Sequence, residues 1–431
     1  MSKNAGRLRI AAVRKDITPP LPADLSGYIR RFGKASKIHD PLLANLLLID
    51  NGINQLLLIS LDILFLSSEL SSRLRQAISE ELNMDKKNIL IAAIHTHSSP
   101  GIHTFRDEGI RDKTWEEKVF QTLVKGAAEA SQHLEEASIG IGMGSSAIGR
   151  NRRKEGGPLD PNFPLICFFD EQEHPLAVIA NYGCHPVVLD EKNLLITADY
   201  VHYFRKSLSE RLSSDILTLF FTGASGDVDP MERGSFSIAE RMGLELAEEA
   251  LKIISEMETR KDIDIIAKET SLKIPYGWVP DVQEAKETYE RTRQKYEEAM
   301  RRGNRESRKI QKAFLLWAEQ LREKALKNEL PKSLESQLQC IKLGEAVLLA
   351  FPFELFSSVS LSLRVKSAVK HLFMVGYANG YSGYLPDRNS IREGGYEVEE
   401  AFKYVGILPF DSKAEELFLE KALSLIESLE N

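Results

Sequence analysis

Several features that would assign this chain quickly are missing. It has only three cysteines in 431 residues, Cys167, Cys184 and Cys340, far apart and mostly flanked by apolar residues. That argues for reduced, buried thiols in a reducing compartment and against a disulfide framework. No apolar run approaches the roughly 18 residues of a membrane span. The N-terminus MSKNAGRLRIAAVRKDITPP has no apolar export-type stretch before charge resumes at Arg14. No stable membrane insertion is expected, and the cytoplasm is the expected location. Nor is there an excess of basic charge: 56 Lys and Arg face 63 Asp and Glu, a formal net charge of −7, so no nucleic-acid partner is expected. Low-complexity tracts and repeats of solenoid period are also missing.

What is there is the composition of a globular protein, 43% apolar, 28% charged and 8% aromatic. Apolar runs bounded by turns recur at LRIAAV from Leu8, NLLLID from Asn45, LLLISLDILFL from Leu56, NILIAAIHTHS from Asn88, PLICFFD from Pro164, PLAVIANYGCH from Pro175 and ILTLFF from Ile216. Such runs predict strands covered on both faces. Segments of helical period lie between several of them, from Ser67, Thr114, Ala198 and Ser237. The expected fold is α/β, a mixed multi-stranded sheet core covered by helices. From Val282 an apolar stripe of Ala285, Tyr289, Tyr296 and Met300 is interrupted at Gly303-Asn304 and resumed by Ile310, Ala313, Phe314, Trp317, Leu321 and Ala325. It predicts a helical hairpin over 281–330, inserted in one body made of 1–280 and 331–431. The hairpin reads as a structural arm, with a substrate lid or a subunit contact that makes a homo-oligomer as the alternatives.

Chemistry-bearing residues cluster at predicted strand ends. His95 and His97 close NILIAAIHTHS, where an extended chain turns both imidazoles to one face. His185 closes PLAVIANYGCH, and Glu354 follows Phe351-Pro352-Phe353. Ligands of open α/β sheets bind beyond the carboxyl ends of strands, and imidazoles with one carboxylate suit Zn²⁺. Taken singly, each is equally a packed, hydrogen-bonded or capping residue. After ILTLFF comes Thr222-Gly223-Ala224-Ser225-Gly226-Asp227-Val228-Asp229-Pro230, which is not the Gly-x-Ser-x-Gly elbow of serine hydrolases. The glycines at 142, 144 and 149 do not have dinucleotide-fingerprint spacing.

Asp16-Ile17-Thr18-Pro19, Gly27-Tyr28, the strand Ser60-Leu61-Asp62, His95-Thr96-His97-Ser98-Ser99-Pro100-Gly101, Asn151-Arg152, His185 with Asp199 after it, Gly226-Asp227-Val228-Asp229-Pro230, Pro352-Phe353-Glu354, Tyr381 to Tyr384 and Gly395-Tyr396-Glu397 occur in this order. Together they resemble the catalytic domain of the neutral/alkaline non-lysosomal ceramidases. The resemblance implies a zinc ion held by His95, His185, Glu354 and Tyr384. Tyr384 is preferred to Tyr381 because Tyr396 then keeps the family's spacing. It also implies His97, Arg152 and Tyr396 near the scissile amide.

The chain departs from the family pattern at Asp229, where the family has a serine, and in Asn151-Arg152-Arg153, where it has Asn-Arg-Ser. The family's C-terminal immunoglobulin-like domain and export signal also have no counterpart in these 431 residues. A carboxylate cannot replace a serine alkoxide in acyl transfer. The expectation is therefore a hydrolase that uses metal-activated water on an amide of a soluble, polar small molecule rather than ceramide. In that scheme His97 relays the proton, Arg152 and Tyr396 stabilise the oxyanion, and Asp229 assists as base or binds the substrate; alternatively, Asp229 only forms its Asp-Pro turn. The competing readings are a hydrolase of an ester or glycoside and a catalytically silent binding protein.

Overall fold

The apolar runs become strands that are buried twice over, because three sheets stack on one another as well as against helices. The computed structural model describes residues 7–101 and 112–430. The first sheet holds β1 (Arg9–Asp16), β2 (Leu43–Asp50), β3 (Gln55–Leu61) and β4 (Ile89–Ala93) in the order β4-β3-β2-β1, with Glu135–Glu136 at its edge. The second holds β5 (Ser138–Ser145), β6 (Asn162–Phe169), β7 (Pro175–Tyr182) and β8 (Leu217–Thr222) in the order β8-β7-β6-β5, edged by Thr259–Arg260. The third runs β9 (Ile265–Pro275), β10 (Ser333–Leu343), β11 (Ala346–Ala350), β12 (His371–Val375) in that order. This is the mixed α/β architecture expected from the sequence.

One core joins the three inner faces, with Ile10 and Leu58 from the first sheet, Phe168 and Leu219 from the second, and Leu348 and Phe373 from the third. Helices cover the outer faces. The first sheet carries α1 (Ser68–Leu82) and α2 (Lys113–Ser131), and the second α3 (Tyr200–Arg211) and α4 (Phe236–Ser255). Against the third pack the second helix of the pair α5 (Val282–Arg302) and α6 (Arg305–Leu326), then α7 (Ser357–Ser367) and the C-terminal helix Ala414–Glu427. All three cysteines are buried and unpaired. Among the described residues no helix is long and apolar enough to cross a membrane.

Each sheet has one parallel pair, β3/β4, β7/β8 and β11/β12, always at an edge. Buried polar side chains tie the carboxyl ends of these pairs together. Asn181 on β7 donates to the Met374 carbonyl on β12 at 2.9 Å and accepts from the Met374 amide at 2.9 Å. The Ser60 hydroxyl on β3 donates to the Phe220 carbonyl on β8 at 2.7 Å, and that of Thr222 to the Ile94 carbonyl at 2.6 Å. Each such bond contributes about 0.5–1.5 kcal/mol net, and leaving its partner unpaired would cost more. Their consequence is positional: strand ends from all three sheets meet at one place.

The pair α5 and α6 is defined by its caps. The Asp281 side chain accepts from the Glu284 amide at 2.8 Å while Glu284 accepts from the Asp281 amide at 2.9 Å, a reciprocal capping box. Gly303, with φ 74°, ends α5, and the Asn304 side chain accepts from the Ser307 amide to start α6. Val282 and Met300 depart from the expected stripe: both are exposed, since they lie in the terminal turns of α5, whereas Ala285, Ala313, Trp317 and Leu321 are buried. After β12 come the short helices α8 (Arg388–Glu393), α9 (Tyr396–Glu399) and α10 (Ala401–Val405).

Candidate metal centre

His95 and His97 lie beyond β4 rather than on it, because the strand ends at Ala93. His95 has φ 70°, so the extended geometry expected for the pair is broken at its first member. That left-handed turn costs roughly 1–2 kcal/mol for a side-chain-bearing residue. Two contacts hold it: the His95 amide donates to the Ile63 carbonyl at 3.0 Å, and Nδ1 donates to the Leu64 carbonyl at 2.7 Å. The turn still brings the imidazoles together, with the two Nε2 atoms 3.2 Å apart. Gly27, at φ 102°, makes room for them: a Cβ there would lie 2.5 Å from the His97 ring.

His185 follows β7 by three residues, and its Nδ1 donates to the Val228 carbonyl at 3.1 Å. Its Nε2 then faces Oε2 of Glu354 at 2.9 Å, and the same oxygen is 3.7 Å from Nε2 of His95. The loop after β8 packs against the backbone of Glu354, since a Cβ on Gly226 would sit 2.5 Å from the Glu354 backbone carbonyl oxygen. The other carboxylate oxygen accepts from the Tyr381 hydroxyl at 2.5 Å. Tyr377 stacks on His95 with ring centroids 4.0 Å apart, and its hydroxyl pairs with that of Ser225 at 2.8 Å.

The electrostatics of this cluster call for a cation. Burial drives the His95 imidazole down to about 3, so it is neutral near pH 7, and it also holds His97 well below its usual range. Burial alone would raise the Glu354 carboxyl, but the facing His95 and His185 rings and the Tyr381 hydroxyl outweigh it and hold it at about 2. Both Nδ1 atoms are committed as donors to backbone carbonyls, so the neutral tautomers present Nε2 lone pairs to a carboxylate. A proton or a metal ion has to lie between them. His95, His97 and His185 form a group able to hold a metal ion, their ligand atoms all within 4.8 Å of one another. The carboxylate and the backbone-anchored imidazoles beside it suit the donor chemistry of a transition metal.

A second cluster lies alongside. The strand Gly149–Asn151 pairs antiparallel with Val228–Pro230, which sets the Asn-Arg motif beside the Gly-Asp-Val-Asp loop. Arg152 donates from Nε to Glu397 at 3.0 Å and from Nη1 to Asp229 at 3.4 Å, and its guanidinium lies 5.5 Å from the Tyr384 ring centroid. Arg233 bounds Asp229 on the other side, also at 3.4 Å. Burial would raise the Asp229 carboxyl; the Arg152 guanidinium, the neighbouring His185 ring and the Arg233 guanidinium outweigh it and hold it below the usual carboxylate range. Tyr384 is the bridge partner of Glu354, and Tyr396 meets the Tyr384 ring edge-on at 6.2 Å.

His95, His97, Glu354, Tyr384 and Tyr396 border one cavity of about 320 Å³, at the small end of ligand pockets. His185, Arg152 and Asp229 stand behind that surface. All eight candidate residues are thus brought to one end of the sheets. Tyr381, at 2.5 Å, and Tyr377, at 3.5 Å, rather than Tyr384, bring their hydroxyls to the Glu354 carboxylate. Sequence reasoning passed over Tyr377 and Arg233. Tyr377 had a signal in its place just after an apolar strand; Arg233, four residues after Asp229 in a polar loop, had none.

Residues 9–248 match the family model described as neutral/alkaline non-lysosomal ceramidase, N-terminal. No curated protein matches the chain. Among solved structures, the neutral ceramidase from Pseudomonas aeruginosa is similar with a TM-score of 0.76 at 17% identity, covering 99% of this chain and 75% of that one. A ceramidase complexed with C2 is similar with a TM-score of 0.74 at 16% identity, covering 98% and 75%. Identities this low bear on the fold. The family match is independent of them, runs over more than half of the sequence and takes in both strand-end histidine segments, and on that ground the chain belongs to the neutral/alkaline non-lysosomal ceramidase family.

Proposed function

We propose that the protein is a zinc-dependent hydrolase that cleaves the amide bond of a soluble, polar N-acyl compound with water as the nucleophile. Membership of a ceramidase family supports an amide-bond hydrolase. The observation that carries the metal is the convergence of the His95 and His185 lone pairs on the ionised Glu354 at the floor of a cavity. His95, His185 and Glu354 would hold the ion, with Tyr384 as the fourth ligand and Tyr381 orienting the carboxylate. When bound, zinc acidifies water and polarises a carbonyl.

The remaining work falls to side chains. His97, neutral and with no hydrogen-bond partner for Nδ1 among the described residues, takes a proton from the attacking water and passes it to the leaving amine. Tyr396 donates to the oxyanion from the cavity wall, and Arg152 adds positive charge from behind Tyr384. Asp229, ionised between two arginines, is better suited to anchoring Arg152 than to acting as base or nucleophile. The polar-substrate reading is supported by charge at the cavity rim, where Arg30, Glu191 and Glu400 accompany the tyrosines.

The test is turnover of a panel running from long-chain ceramide through fatty-acyl amides to small polar amides, with esters and glycosides alongside, in ¹⁸O water. Cleavage of small polar amides, with label in the first acid product and no mass added to the protein, is expected. Preference for long-chain ceramide, or label appearing first in the Asp229 carboxylate, would contradict it.

A further inference from the structure

The cavity beside the histidines is bordered in part by a helix that carries none of the chemistry. It is bordered by His95, His97 and Glu354; one wall is Tyr28 to Arg30, a second is Tyr396 with Glu400, Ala401, Tyr404 and Val405, and Ile310 of α6 borders it as well. Ile310 is the one residue of the α5–α6 pair that borders the cavity among the described residues.

The helix is fastened to both walls. Towards the first, Glu306 pairs with Arg30 at 2.8 Å, Nζ of Lys309 donates to the Arg31 carbonyl at 3.2 Å, and the Arg305 guanidinium covers the Phe32 ring at 4.2 Å. Towards the second, the rings of Phe314 and Tyr404 lie 5.3 Å apart, the Lys403 ammonium sits 4.6 Å over Phe314, and Nε1 of Trp317 donates to the Ile407 carbonyl at 3.0 Å. Anchors at 305, 306 and 309 on one side and at 314 and 317 on the other bracket position 310. The side chain there is β-branched, and in a helix such a side chain is held almost wholly in one χ1 rotamer. A stiff side chain on a doubly anchored helix makes a wall that does not swing aside.

We infer that α6 is a lintel across the cavity mouth and that Ile310 is a specificity-determining residue that limits how far an acyl chain extends from the metal centre. The inference rests on the amide-hydrolase reading above and narrows its substrate class. A short, unbranched acyl group lies against Ile29, Leu64, Ile310 and Val405, and a charged or hydroxylated amine portion reaches the rim at Arg30, Glu191 and Glu400.

Straight-chain alkyl hydroxamates, which chelate metals through one end, measure this wall without requiring turnover. Their affinities for the zinc-loaded full chain are compared by calorimetry for the wild type, Ile310→Ala and Ile310→Trp. In the wild type, affinity breaks sharply at a limiting chain length. Ile310→Ala moves the break to longer chains and tightens the first excluded homologue at least about tenfold. Ile310→Trp moves it to shorter chains, and acetohydroxamate binds all three alike. Superimposable length profiles for the three proteins would overturn the inference. A break that moves in a protein without amide turnover would overturn the amide reading and leave the lintel standing; amide turnover with an unmoved break would do the reverse.

Discussion

The two ends of the cavity are built on different principles. At the floor, His95 and His185 are locked by Nδ1 donation to the Leu64 and Val228 carbonyls, the strand ends behind them are stitched by Asn181 and Thr222, and Glu354 and His95 are each about 2% exposed. At the mouth, the first turns of α6 are held by side chains at the surface, Arg30 and Glu306 being 62% and 43% exposed, while its later turns pack Trp317 and Leu321 into the core under the third sheet. Backbone-anchored, water-excluded contacts fix positions to a fraction of an ångström, which ligand geometry demands. Exposed ion pairs and cation-π contacts are individually weak and replaceable, which suits a part that selects substrates. The contrast teaches where each function tolerates change.

Substitutions should separate the two ends. The largest effect short of losing the centre is expected from His97→Ala, which removes the proton relay but none of the three proposed anchors His95, His185 and Glu354. Turnover should fall about 10²–10⁴-fold with zinc content unchanged, as followed by steady-state kinetics alongside metal analysis. Tyr381→Phe deletes the donor that orients Glu354, and zinc affinity in a competitive chelator titration should weaken about 10–100-fold. Asp229→Ala leaves Arg152 with Glu397 alone among its carboxylate partners. It should lower kcat with zinc retained, and Asp229→Asn should recover part of the loss; full activity in Asp229→Ala would remove the Arg152 anchor from the account. The smallest effect belongs to the mouth: Glu306→Gln should change stability by less than about 1 kcal/mol in denaturant unfolding, because both partners are solvated. A large loss there would mean that the Arg30–Glu306 contact is integral to the fold rather than a replaceable surface tie.

Much of this contrast could be read in the chain before folding. The apolar runs identify the strands, and Gly303-Asn304 identifies the hairpin, because caps and periodicity are local properties. Non-local pairing is not. Nothing in the sequence says that the parallel edge pairs of three sheets meet, or that Gly149–Asn151 pairs with Val228–Pro230 and so sets Arg152 against Asp229. The positive φ of His95 was also illegible, since it is imposed by carbonyls at Ile63 and Leu64 that the strand pattern does not predict. The roles of Tyr381 and Arg233 depend on distances of the same kind, and only the family's spacing distinguishes Tyr384 from Tyr381.

The chemistry proposed for the cavity depends on the metal. Elemental analysis of wild-type protein purified without chelator, set beside His95→Ala, tests it most directly. About one zinc per chain in the wild type is predicted, falling to a small fraction of that in His95→Ala. No stoichiometric transition metal in the wild type, or full metal retained in His95→Ala, would contradict it.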